Sequence, residues 1–202
     1  MGINVNRSYG TDDVMKCMEE ATDRAVNAQA EKSLFLGEYK ERIIKALTFD
    51  EIKEKGIYYE IEEALENKDV AKMVISRHAN FDDIKKYIEI AKKKKIPYKM
   101  IDNLVCSGQI ALVVAAKDAI VHEAGDEIVA TSKLEMCHMK HLPDVYYEAM
   151  ESAICDFHMD IIKKEMPEYA KNYKELTFMD KLFGSKCPIC QKLGGKKRGW
   201  WI

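Results

Sequence analysis

Apolar positions along this chain fall into short periodic runs separated by charged or glycine-bearing breaks. Val14, Met18, Ala21 and Ala25 recur at helical spacing and, with Thr11 or Asp12 as a cap, predict a helix over residues 11–30. Leu36, Tyr39, Ile43 and Leu47 form a second stripe, and Glu38, Lys40, Glu41 and Lys45 fill the positions between. That pattern predicts an amphipathic helix ending at Thr48. A short helix follows Gly56, with Ile57, Ile61, Ala64 and Leu65 on one side. Val70 to Ser76 is short, branched and largely apolar, the pattern of a buried strand. Asn80 then caps a helix whose Ile84, Tyr87, Ile88 and Ala91 share one face. Lys92 to Lys95 close it, where cations complement the helix macrodipole. Ile96 to Ile101 is the next strand, with Pro97 near its start, where a missing N–H does least harm. Ile110 to Ala116 is the most continuous apolar run and predicts a central strand. A turn at Lys117-Asp118 leads to a short apolar segment, Ala119 to Val121.

Strands alternating with helices predict an α/β fold, with helices covering a sheet. From Gly125 the character changes to Met, Cys, His and acidic residues. A long helix is predicted from about Asp144 to Lys164, with Tyr146, Met150, Ala153 and Phe157 as its apolar face. Pro167 ends or kinks it. The chain therefore divides into residues 1–125, an α/β domain with an N-terminal helix, and residues 126–202, a mainly helical extension with a Cys/His-rich, basic tail.

Composition adjusts this picture in three ways. Apolar residues make up 47% of the 202, enough for a sizeable core, and charged residues 33% with a net charge of −2. Near-neutrality excludes a chain that grips polyanions over its whole surface, so such contact must come from a local patch. No apolar run approaches the roughly 18 residues of a membrane span. Residues 1–9 are polar and do not read as a secretory leader. The expected compartment is the cytoplasm, where the six cysteines are read as buried thiols or metal ligands rather than disulfides.

Three ordered blocks carry a family resemblance. Leu36-Gly37-Glu38-Tyr39-Lys40-Glu41-Arg42-Ile43, ending in Ala46-Leu47-Thr48, resembles the N-terminal motif of the YueI-like family, bacterial proteins of unknown function. Gly56-Ile57-Tyr58, continuing Glu60-Ile61-Glu62-Glu63-Ala64-Leu65, matches the second block, and Ile96-Pro97-Tyr98 a strand start. The resemblance covers roughly residues 31 to 121 and implies a three-layer α/β/α sandwich with a mixed sheet. That layout is similar to ribosomal and kink-turn-binding RNA proteins, an analogy of fold and not of activity. Members of the family tend to end soon after the sheet, whereas here about 80 residues follow, with four of the six cysteines.

The chemistry-bearing residues concentrate in that extension. Cys187-Pro188-Ile189-Cys190 is a C-x-x-C pair, suited to tetrahedral zinc. A redox use of the pair needs a strand before it and a helix after it. Its flanks here are Gly184-Ser185-Lys186 and a glycine-rich tail. The 12 residues downstream hold no Cys or His, so further ligands must come from upstream. Cys155 and His158, at i and i+3 on the predicted helix, are the leading candidates; Cys137, His138 and His141 are the rival cluster. Four protein ligands would make the zinc structural, with no open position for chemistry.

From Lys181 onward every charged residue is basic: Lys181, Lys186, Lys192, Lys196, Lys197 and Arg198, followed by Trp200 and Trp201. Cations beside aromatic rings suit RNA, through phosphate contact and base stacking, or an anionic membrane surface, where tryptophans settle at the interface. The apolar face of the long helix is a candidate surface for a homodimer. Arg42 is read as the partner of Glu38, and Tyr58 and Tyr59 as packed rings. Asp82-Asp83 serves a helix start, His78 is a lone histidine, and Ser107-Gly108 lacks the glycines of a phosphate loop. No nucleophile has a recognisable base. The sequence thus points to a non-enzymatic binding protein that contacts RNA, or to an interaction module that dimerises through its C-terminal helix.

Overall fold

A computed structural model describes Thr22 and residues 26–102, 109–122 and 127–193. The predicted helix over residues 11–30 lies largely outside these; residues 26–34 are helical and are called α1. The elements that follow are β1 (Ile43–Thr48), α2 (Phe49–Lys53), α3 (Tyr59–Ala64), β2 (Val70–Ser76), α4 (Phe81–Lys93), β3 (Tyr98–Ile101) and β4 (Ile110–Ala116). The strands form one mixed sheet in the order β1-β4-β2-β3. β4 runs antiparallel to both β1 and β2, and β2 runs parallel to β3.

The strands at β2 and β4 and the capped helix α4 stand where the sequence pattern puts them. All seven residues of β4 are buried, as befits a strand paired on both sides. Asn80 Oδ1 accepts the Asp82 N–H (3.3 Å) at the start of α4, whose Ile84, Tyr87, Ile88 and Ala91 are buried. One face of the sheet packs Leu47, Met73, Ile75, Leu112 and Val114 against Ile52, Ile61, Ile84 and Tyr87 of α2, α3 and α4. The opposite face packs Ile43, Ala46, Val74, Val113 and Ala115 against Leu36, just after α1, and Ile128 and Val129. The fold is α/β, with covering layers on both faces of a mixed sheet.

The expected helix over residues 36–47 is not formed. Leu36 and Gly37 take positive φ (54° and 84°) and end α1. After a single 3-10 turn at Lys40–Arg42 the chain extends as β1. A register irregularity between Ile43 and Lys45 lets Ile43 and Ala46, three apart, face the same apolar cluster, so the strand carries a helix-like spacing. Thr48 caps the next helix instead of ending one. Its Oγ1 accepts the Glu51 N–H (3.3 Å), and Glu51 Oε2 accepts the Thr48 N–H (2.7 Å). Glu38 pairs with Lys72 (2.8 Å), not with Arg42.

Beyond residue 127 come α5 (Lys133–Met139), α6 (Val145–Glu148), β5 (Ala153–Ile154), α7 (Asp156–Glu165), a 3-10 turn (Pro167–Asn172), β6 (Lys174–Glu175), α8 (Phe178–Leu182) and α9 (Pro188–Leu193). The long helix expected from Asp144 to Lys164 is therefore two helices with a strand between them. Glu151 takes positive φ (66°), its N–H donates to Asn172 O (2.7 Å), and β5 then pairs with β6. Tyr146 and Met150, expected on a dimerising face, are buried within the chain's own apolar cluster beside Ile154, Ile162, Tyr169 and Ile189.

This C-terminal cluster docks on residues 54–60. Gly56 has φ +72°, and a Cβ there would lie 2.6 Å from Asn172 Cγ, so only glycine fits. Asn172 accepts the Ile57 N–H (3.1 Å) and donates to Ile57 O (2.8 Å). The Tyr169 hydroxyl donates to Glu60 Oε2 (2.9 Å), and the Tyr169 ring meets Tyr59 edge-on at 5.2 Å. Lys133 is fully buried. Its amine donates to Lys55 O (2.6 Å) and lies 4.0 Å from the centre of the Tyr58 ring.

Candidate metal centre

Two helix starts meet in the C-terminal cluster, and each brings two ligand-type side chains. Cys155 caps α7, and His158 is its third residue. Cys187 immediately precedes α9, and Cys190 is the third residue of that helix. The N-cap and third positions of a helix approach each other closely, which is why capping boxes use them. Pro188 at the first position of α9 presets the turn without losing a needed N–H. Both C-x-x-H and C-x-x-C therefore fold into claws, and Ile189, fully buried, anchors the second.

The ligand atoms of Cys155, His158, Cys187 and Cys190 all lie within 4.8 Å of one another. His158 Nδ1 is 3.3 Å from Cys155 Sγ, 3.5 Å from Cys187 Sγ and 3.4 Å from Cys190 Sγ, and Cys155 and Cys190 Sγ are 3.5 Å apart. Tetrahedral zinc bond lengths require edges of about 3.6 Å for S–N and about 3.8 Å for S–S. These four separations fall just inside that frame, and Cys187 Sγ lies within 4.8 Å of the other two sulfurs, so this group could hold a metal ion.

The surroundings suit that use. His158 and Cys187 are buried, and Cys155 and Cys190 are half-buried. Burial lowers the His158 pKa, favouring the neutral imidazole that ligates. The Tyr146 and Phe157 rings meet His158 edge-on at 5.8 and 5.1 Å and fix its plane. Burial opposes ionisation of Cys187, yet the backbone N–H groups of Cys155 and Cys190, the Cys190 thiol and the Ile189 N–H together outweigh it and hold this thiol below its ordinary pKa. Such N–H donors are the outer layer that orients metal thiolates. Burial and the neighbouring Cys155 and Cys187 push Cys190 up to about 12. Three thiolates this close repel one another unless a cation sits between them.

The rival residues are not in this group. Cys137 is buried in the apolar cluster with its sulfur 3.8 Å from Met166 Sδ. His138 instead bonds Asp144 (2.6 Å), and His141 occupies a turn with positive φ. The flanks of the C-x-x-C pair also differ from expectation: a helix does follow it, while residues 185–187 before it are irregular. Lys196, Lys197, Arg198, Trp200 and Trp201 lie outside the described residues, as do Ser107 and Gly108. His78 is exposed after β2. A cleft of about 570 Å³ opens elsewhere, along β1 and α5, lined by Lys45, Glu60, Glu127 and Glu135. The sequence reading missed buried Lys133; nothing in its local pattern separates it from an ordinary surface lysine at a helix start.

The family described as "Protein of unknown function (DUF1694)" matches residues 11–126, more than half the chain. The chain belongs to this family. A relative, the uncharacterized protein YueI of Bacillus subtilis (strain 168), is 29% identical over 93 residues, covering 46% of this chain and 70% of that protein. The crystal structure of the YueI protein from Bacillus subtilis has a TM-score of 0.49 and 26% identity, covering 52% of this chain and 80% of that one. The YueI-like resemblance in the sequence is thus borne out, and the family's description assigns no activity. The four clustered side chains lie beyond the family match. Among the described residues no helix is long and apolar enough to cross a membrane.

Proposed function

We propose that this protein is a non-enzymatic, cytoplasmic binding protein whose C-terminal part is held together by a structural zinc ion bound by Cys155, His158, Cys187 and Cys190. One observation carries the reading: four ligand atoms from two separate helix starts converge within 4.8 Å. Three thiolates and an imidazole match the donor preference of zinc, and a complete set of four leaves no position for substrate. The division of the chain near residue 125 belongs to the same reading. Two main apolar clusters, one on the sheet that reaches Ala130 and one among residues 137–189 that meets Tyr59, support it.

Metal analysis of protein purified without a histidine tag tests the centre. About one zinc per chain is expected. Metal-free folded protein, or undiminished zinc in a Cys187→Ser/Cys190→Ser variant, would end the proposal. The RNA part of the reading rests on the tail sequence, Lys196-Lys197-Arg198 with Trp200 and Trp201. It expects a gel shift on RNA that weakens steeply with salt and when those three cations are neutralised.

A further inference from the structure

The four clustered side chains are not equally sheltered. Cys187 is buried, and His158 is buried against the Tyr146 and Phe157 rings. Cys155 and Cys190 are half-buried and form the outer side of the group. These two outer sulfurs are also neighbours, 3.5 Å apart. They come from different claws, one at the start of α7 and the other in the first turn of α9. Among the described residues Cys137, Cys155, Cys187 and Cys190 are all free of disulfides. Sulfurs in a disulfide lie about 2.05 Å apart, so a shift of about 1.5 Å closes the outer pair. Cys137 makes the contrast: it is buried, with its sulfur against the Met166 thioether.

Buried structural thiols are inert, whereas partly exposed thiolates react with peroxides, the more so beside a second thiol that can resolve the product. On the zinc reading, from which this inference starts, metal binding keeps both outer sulfurs as thiolates. We propose that Cys155 and Cys190 are a peroxide-reactive pair whose oxidation to a disulfide opens the metal centre. One thiolate attacks a hydroperoxide: an S–O bond forms, the O–O bond breaks, and the departing oxygen takes a proton. The second thiolate attacks the resulting sulfenic acid: the S–S bond forms, the S–O bond breaks, and that oxygen leaves as water after taking a proton. With hydrogen peroxide, two thiolates, one peroxide and two protons become one disulfide and two waters. The sulfurs lose two electrons and the peroxide gains them. Cys187 and His158 alone then remain as ligands, short of the four that hold a structural zinc, and the ion is released. The new bond joins the same two helices between positions 35 residues apart. Metal and disulfide are thus alternative links between α7 and α9.

The test uses the full chain purified under reducing conditions without a histidine tag, with zinc and free thiols counted before and after hydrogen peroxide. About one zinc per chain should be released as two of the six thiols disappear. Mapping of alkylated peptides should find Cys155 linked to Cys190, and dithiothreitol with added zinc should restore both counts. A Cys155→His variant exchanges one outer sulfur for another zinc ligand and should keep its zinc under the same peroxide. Chain that carries no zinc before treatment overturns the zinc reading and this inference with it. Zinc that stays bound under peroxide overturns this inference alone. So does zinc lost with a Cys187–Cys190 link, or with sulfinic acids in place of the Cys155–Cys190 bond, and so does a zinc-loaded Cys155→His chain that empties as fast as the unmutated one.

Discussion

β4 runs for seven buried residues and is paired on both edges, whereas β5 and β6 pair over two residues each. α4 spans thirteen residues; beyond residue 127 the longest described helix, α7, has ten and most have four to seven. Helices shorter than about 12 residues are marginal alone, and so is an isolated strand pair. The sheet half is ordered by long cooperative elements whose apolar faces are legible one segment at a time. The C-terminal half consists of short elements that become stable together, through docking on residues 54–60 and through the converging Cys and His side chains. On the proposed zinc centre, cross-linking would take the place that element length has in the sheet.

That contrast is breakable from either side. Cys187→Ser should have the largest effect, removing a metal contribution on the order of 10 kcal/mol in small zinc domains. Hydrogen exchange should then show residues 153–193 losing protection while β2 and β4 keep theirs, and a chelator should reproduce this in the unmutated protein. Leu112→Ala, in the sheet core, should cost about 3 kcal/mol. Denaturant titration should find that loss equal with and without chelator. Gly56→Ala sits at the junction and should cost about 2 kcal/mol, since alanine is strained at positive φ and meets Asn172. Its melting should separate into two transitions.

The subtlest effect to isolate is a pH slope. Burial, followed by the neighbouring Lys86, lowers the Lys133 pKa from 10.5 to about 7. Between those values the unfolded chain binds more protons at this amine than the folded one, so stability rises with pH across that window. Urea midpoints at pH 7 and pH 9 should show the rise in the unmutated chain and a flatter response in Lys133→Met.

Legibility in the sequence followed the same contrast. β2, β4 and α4 could be read because each is long, periodic and bounded by its own signals, such as Asn80. β1 was mistaken for a helix because its irregularity places Ile43 and Ala46 on one face at helical spacing. Thr48-Phe49-Asp50-Glu51 did carry a capping-box signature that marks a helix start there. The break after Met150 has no local signal, because it depends on pairing with Lys174 and Glu175 and on the Asn172 carbonyl, more than 20 residues away. The Cys/His group was legible because two x-x spacings suffice to name it, although the pairs meet at helix starts rather than along one helix.

The parallel bridge between Ala46 and Val129 has a consequence for self-association. Ala46 donates to Ile128 O (2.8 Å) and accepts from the Ala130 N–H (3.0 Å), so the outer margin of β1 is already occupied by the chain's own backbone. A strand from another molecule cannot extend the sheet at that point. The other margin is β3, only four residues long, entered through Pro97 and bearing Lys99. Proline and lysine discourage edge-to-edge growth, so both ends of the sheet resist the stacking that leads to aggregates.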